Sequence, residues 1–175
     1  MSTHSGSSLL RALFAIWIAG LLQSPLLAQS TPSAADMVEQ LKSQPPRTRS
    51  LRNLTIESSA PEVKPSLSLL IQFDFNSARV KPESQQALSN LAQALQSREL
   101  AEAKFAVEGH TDAKGRADYN LKLSQQRADA VRAHLASNGV QDSRLAAVGK
   151  GATELANAAD PQAAENRRVR IVNLN

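Results

Sequence analysis

Residues 105–135 read FAVEGHTDAKGRADYNLKLSQQRADAVRAHL. Phe105 and Val107 point one way and their neighbours the other, the two-residue period of a strand with one apolar face. The polar run that follows, with Gly115 inside it, has the composition of a loop. From about Asp118 the pattern changes to helical spacing, and Gly139 marks the expected stop, since a left-handed cap suits glycine. At about 100° per residue, Ser124, Ala128, Val131 and Leu135 gather into one stripe, the face expected on a sheet.

The same stretch carries an acid and a base. Asp112 stands at the strand's exit, and Arg127 lies fifteen residues further on, within the helix. Asn120 and Arg127 are seven positions apart, so they point within about 20° of each other, about 10 Å apart along the axis. Both lie at the margin of the apolar stripe, near Leu123, where a guanidinium can snorkel toward the loop bearing Thr111 and Asp112. The expected product is a rim pocket with Asn120 between the charges. It suits a ligand carrying an ammonium and a carboxylate on one carbon. Taken singly, Asp112 also fits a tight turn and Arg127 an ordinary exposed helical position.

Outward from this unit, strands alternate with helices. Leu67, Leu69, Ile71 and Phe73 alternate with Ser68, Gln72 and Asp74 in a first strand beginning at Ser66. Pro82 suits the first turn of a helix that Leu88, Leu91, Ala92 and Leu95 carry to about Ser97. Further strands are expected over 104–108, 145–148 and 169–173, with a short helix from Asp160-Pro161 to about Glu165. Gly109, Gly115, Gly149 and Gly151 read as turn glycines, and His110 as structural or solvated. This order implies an α+β domain over residues 66–175, a mixed four-stranded sheet with helices on one face.

Gly109-His110-Thr111-Asp112, Gly115, Tyr119-Asn120, Leu123-Ser124, Arg127-Ala128 and Ala130-Val131 form a spaced pattern, joined by Phe73-Asp74-Phe75-Asn76 and Asn166-Arg167-Arg168. The pattern resembles the OmpA-like peptidoglycan-binding domains. That resemblance implies a βαβαβ sandwich and non-catalytic binding of peptidoglycan through the diaminopimelate of its stem peptide, with no cofactor and no metal. It implies Asp112 and Arg127 as the principal ligand residues and Thr111, Asn120 and Arg167 as their helpers. Asp74, Asn76 and Leu123 are further support. The chemistry fits, because arginine presents a planar fork matched to a carboxylate, and aspartate accepts from an ammonium.

Composition narrows the alternatives. The sequence contains no cysteine, which excludes disulfides, thiol catalysis, cysteine-bound zinc and a lipid on cysteine. A net charge of +4, with four Phe, one Trp and one Tyr, argues against nucleic acid. Arg11 followed by an apolar run to Leu22, then Pro25 and Ala28, reads as a cleavable export signal over residues 1–28, which implies a periplasmic protein, associated with the outer membrane in the tethered relatives. Residues 29–65 hold five prolines (Pro32, Pro45, Pro46, Pro61 and Pro65) and read as a semi-rigid lead-in. Within it, 34–42 offers two helical turns with Met37, Val38 and Leu41 on one side, to pack on the domain or on an outer-membrane or envelope partner. Arg47, Arg49 and Arg52 read as a solvated face.

Two other classes compete. A wall hydrolase would use His110 and Asp112 as metal ligands or a base pair, but the sequence has three histidines, no G-x-S-x-G elbow and no H-E-x-x-H helix. A structural subunit of an envelope or stator complex would use the same wall anchor. Gly149-Lys150-Gly151 lacks the glycine spacing and Ser/Thr of a phosphate-binding loop.

Overall fold

The computed structural model describes residues 31–42 and 64–175 of the chain; the expected export signal and the arginines at 47, 49 and 52 lie outside the described residues. The elements run α1 Ala34–Leu41, β1 Ser66–Leu69, α2 Gln85–Leu95, β2 Phe105–His110, α3 Ala117–Ser137, β3 Leu145–Gly151 and β4 Val169–Asn173. The sheet order is β1-β4-β2-β3. β2 and β3 are parallel, and β4 runs antiparallel to both β1 and β2. This is the mixed α+β sheet that the sequence pattern implies.

α3 lies across β2 and β3, while α2 and α1 continue the helical layer toward β1. Phe105 and Val107 from β2 and Ile171 from β4 are fully buried with Leu88, Leu91 and Leu95 of α2 and Val131 and Leu135 of α3. The stripe on α3 is therefore the core face, with Ser124 and Ala128 also buried.

Gly109 and Gly149 do not serve turns. Both sit inside strands, directly under α3. A Cβ at Gly109 would overlap the Ser124 carbonyl oxygen, and one at Gly149 would lie 2.6 Å from the Gln125 amide nitrogen. The glycines let helix and sheet backbones approach more closely than any side chain permits. The turn reading does hold for Gly115 at a φ of +92° and for Gly151 at +54°, and Gly139 at +93° takes the left-handed conformation expected after the helix.

The first strand is shorter than its alternation suggests. β1 ends at Leu69, opposite Val169, where β4 begins and the ladder runs out. Ile71 N donates to Leu69 O at 3.1 Å and turns the chain, yet Ile71 stays in the core, and Phe73 pairs across a bridge with Val80. The helix expected near 161–165 is a single 3-10 turn at Ala164–Asn166. Asn166 organises this loop instead, its amide donating to Asp160 O at 2.9 Å and its carbonyl accepting from Asn157 N at 2.8 Å.

The packed unit also begins well before Ser66. Ser33 and Asp36 form a capping box at the start of α1. Met37 and Leu41 are fully buried against α2 and β1. Asn173 Nδ2 donates to Leu41 O at 2.9 Å, which ties α1 to the last strand. Of the two places open to this segment, it occupies the domain.

Arg144 carries a packing role that no periodic pattern marks. Its guanidinium donates to the carbonyls of Ala103, Leu95 and Leu100 at 2.8, 2.9 and 2.6 Å and lies over the Phe105 ring, closing the connection after α2. Gly109→Ala should destabilise the protein by about 1–3 kcal/mol through overpacking, read by urea denaturation. A loss below a few tenths would mean that α3 can retreat without cost.

Candidate functional site

The loop after β2 is built by backbone and amide bonds. Thr111 N continues the β2–β3 pairing by donating to Gly151 O at 2.8 Å. Asn120, buried on the first turns of α3, donates to Asp112 O at 3.3 Å and to Lys114 O at 3.0 Å. Its amide holds the loop rather than standing free between two charges. Asp112 Oδ1 accepts from Lys114 N at 3.2 Å, a local turn that fixes the carboxylate. Its other oxygen, Oδ2, accepts from Arg167 Nη1 at 2.7 Å.

Arg127 is half-buried on α3. Its Nε donates to Ser77 O at 3.1 Å, and its guanidinium sits 4.8 Å over the Phe73 ring. Burial is the main influence lowering its pKa; Tyr119 opposes it, Arg167 adds to it, and Asp112 opposes it. The group nevertheless stays charged, as arginines do.

Arg127 and Arg167 line one cleft of about 360 Å³, floored by Ile71 and Phe73 and edged by Leu70 and Ala164. Asp112 meets this cleft through Arg167, and its ion pair is with Arg167 rather than with Arg127. The acid and base singled out in the sequence thus flank a second arginine. Two guanidiniums and one carboxylate make a half-screened site with a net positive balance, one that can meet a carboxylate with arginine and an ammonium with aspartate.

The supporting residues divide. Thr111 is buried, and its Oγ1 has no hydrogen-bond partner among the described residues. Asp74 forms an ion pair with Arg79 in the loop after β1, and Asn76 adopts a left-handed φ of +52° there. Leu123 is buried on α3, one turn before Arg127. None of these four lines the cleft. Asp74 and Asn76 belong to the loop after β1, Thr111 to the loop after β2 and Leu123 to α3.

A charged layer on the other sheet face was missed in the sequence. β2 alternates, so Glu108 and His110 face away from α3. Glu108 approaches Lys150 at 3.6 Å and Arg170 at 3.7 Å, and Glu154 approaches the same two cations at 2.8 and 3.6 Å. His110 is 1% exposed, with neither ring nitrogen hydrogen-bonded. Burial, with Arg168 next, pushes its pKa down to about 4; Glu154 opposes them, while Arg170 and Lys150 add to the fall. His110 is therefore neutral, and its 3.7 Å approach to Glu108 is a contact without an ion pair. The signal was present in the strand period: an ionisable residue at every second position of a strand belongs to the face opposite the core.

The OmpA family pattern matches residues 72–169. The chain belongs to the OmpA family. It is similar to outer membrane protein A of Bordetella avium, 41% identical over 101 residues, covering 57% of this chain and 51% of that protein. The solved peptidoglycan-associated lipoprotein of Burkholderia pseudomallei is 35% identical, with a TM-score of 0.51 over 61% of this chain and 88% of that one. The solved cell wall anchor of the T6SS from Pseudomonas aeruginosa is 31% identical, with a TM-score of 0.51 over 62% and 79% of the two chains. The chain spans about half the length or less of the first curated relatives it matches.

A folded-state pKa near 4 for His110, against about 6.5 unfolded, means that this group's penalty is absent above pH 6.5 and grows as pH falls. As pH falls from 6.5 to 4 the unfolded chain gains a proton that the folded one refuses, so on the order of 3 kcal/mol is lost. His110→Gln should remove that component. Denaturation curves of the two proteins that run parallel over this range would refute the buried neutral imidazole.

Proposed function

We propose that this chain is a non-catalytic anchor that grips peptidoglycan in the bacterial envelope. The observation that carries the reading is the cleft itself, in which Arg127 and Arg167 meet beside the Asp112 carboxylate. The free end of a stem-peptide diaminopimelate carries NH3+ and COO− on one carbon. Its carboxylate fits the outer edge of Arg127, whose Nε is already held by Ser77. Its ammonium fits Asp112, with Arg167 giving way there and turning to a carboxylate. Asn120 and Thr111 act through the loop as positioning residues. The names of the lipoprotein relative and of the wall anchor agree with this class of ligand.

Each charge-assisted bond contributes about 1.5–3 kcal/mol. Two or three of them, less the cost of ordering, give weak binding at one site, which a polymer of repeated stems offsets through high local concentration. The relatives' names belong to outer-membrane and wall-associated proteins, which supports a periplasmic location, with export by a leader over residues 1–28. A second reading, a subunit of a larger envelope complex using the same anchor, is favoured by the likeness to the T6SS wall anchor.

Co-sedimentation with purified sacculi tests the assignment. Asp112→Ala and Arg127→Ala should remain folded by circular dichroism and shift at least tenfold toward the supernatant, a loss of about 1.4 kcal/mol or more. Pelleting of both variants like the parent would remove the cleft from the binding site. Sustained release of soluble muropeptides, abolished by Asp112→Ala, would make the protein a hydrolase instead.

A further inference from the structure

Phe75 is 99% exposed, and Leu70 at the edge of the cleft is 56% exposed. Folding gains nothing from a phenyl ring left in water. Phe73, two residues earlier, shows the alternative, for its ring lies beneath the Arg127 guanidinium.

The exposure of Phe75 belongs to a pinned loop. Asp74 N donates to Arg79 O at 3.0 Å and Ser77 N to Asp74 O at 3.2 Å, while Arg79 N donates to Ser77 Oγ at 3.0 Å. Arg79 and Asp74 add an ion pair across the same turn. From α3, Arg127 clasps the Ser77 carbonyl. Asn76, at a φ of +52°, takes a left-handed conformation that few side chains accept. The backbone is thus held where it throws Phe75 outward, two residues from the carbonyl that Arg127 grips.

The surroundings of the ring select its occupant. A surface for lipid or for a protein partner would present a contiguous apolar patch of several hundred Å². Phe75 is instead flanked in sequence by Asp74, Asn76 and Ser77, a carboxylate, an amide and a hydroxyl in place of further apolar side chains. One flat apolar face bordered by hydrogen-bonding groups matches a pyranose, which is apolar on its C–H face and hydroxylated at its rim.

We infer that Phe75 is the platform for an amino-sugar ring of the wall's glycan strand, a subsite beside the stem-peptide cleft; this rests on the wall-binding reading above. The reach is sufficient. Phe75 lies within about 7 Å of chain from Ser77, and three extended stem residues span about 10 Å, so one repeat of the polymer reaches both places.

Calorimetric titration of two diaminopimelate-containing probes tests the subsite: a disaccharide-tetrapeptide and the same tetrapeptide without sugar. Phe75→Ala should weaken the disaccharide probe roughly fivefold to tenfold and leave the bare peptide within about twofold. Phe75→Trp should restore the disaccharide affinity. Equal loss on both probes, or no loss on either, overturns the sugar platform while the peptide cleft stands. Wild-type protein that binds neither probe, or Arg127→Ala that binds both like the parent, overturns the wall-binding reading and the subsite with it. Phe75-dependent pelleting with phospholipid vesicles, without the sugar effect, would assign the ring to a membrane.

Discussion

The whole arrangement depends on how closely α3 lies on β2 and β3. Gly109 and Gly149 place bare backbone beneath Ser124 and Gln125, and the helix settles into the space a side chain would have filled. The contact is then locked by polar groups. Ser124 Oγ accepts from Gly151 N and donates to Leu121 O, and Gln125 both accepts from Gly149 N and donates to Ala147 O on the edge strand. Helix and sheet are fixed in height as well as in angle. That height determines where Arg127 emerges relative to the loop that carries Asp112.

A charge cluster at such a seam gains from partial burial. Arg127 is held by Ser77, Asp112 by Lys114 and Arg167, and the loop between them by Asn120. The tethers are backbone groups, one buried amide and an oppositely charged neighbour, so Arg127 and the Asp112 loop are held in place. Preorganisation of this kind lowers the ordering cost of binding, which matters when only two or three polar contacts are available. The Arg167–Asp112 pair has a further consequence: the half-buried carboxylate is compensated by a guanidinium from the far end of the domain.

The two faces of the sheet obey different physics. Under the helices the packing is apolar and dense. On the other face Glu108, Lys150, Arg170 and Glu154 spread their charges over a surface that none of the described helices covers, with His110 buried below them in neutral form. Charge on that face protects the sheet from unwanted apolar association, and the neutral imidazole makes the fold sensitive to acid.

The local period of the chain by itself determined most of the elements: the strands, the stop of α3 at Gly139, the buried stripe of Ser124, Ala128, Val131 and Leu135, and the mixed α+β class. It also brought Asp112 and Arg127 into one motif. These are short-range properties, readable from spacing and turn chemistry. Only the tertiary structure decided that Gly109 and Gly149 serve backbone approach, that β1 stops where β4 begins, that Asn166 replaces a helical turn, and that α1 joins the core. It alone decided that Arg167 stands against Asp112 and shares a cleft with Arg127 across 40 positions of sequence. A residue's partner depends on which segments the fold makes neighbours, and nothing in a local pattern carries that distance.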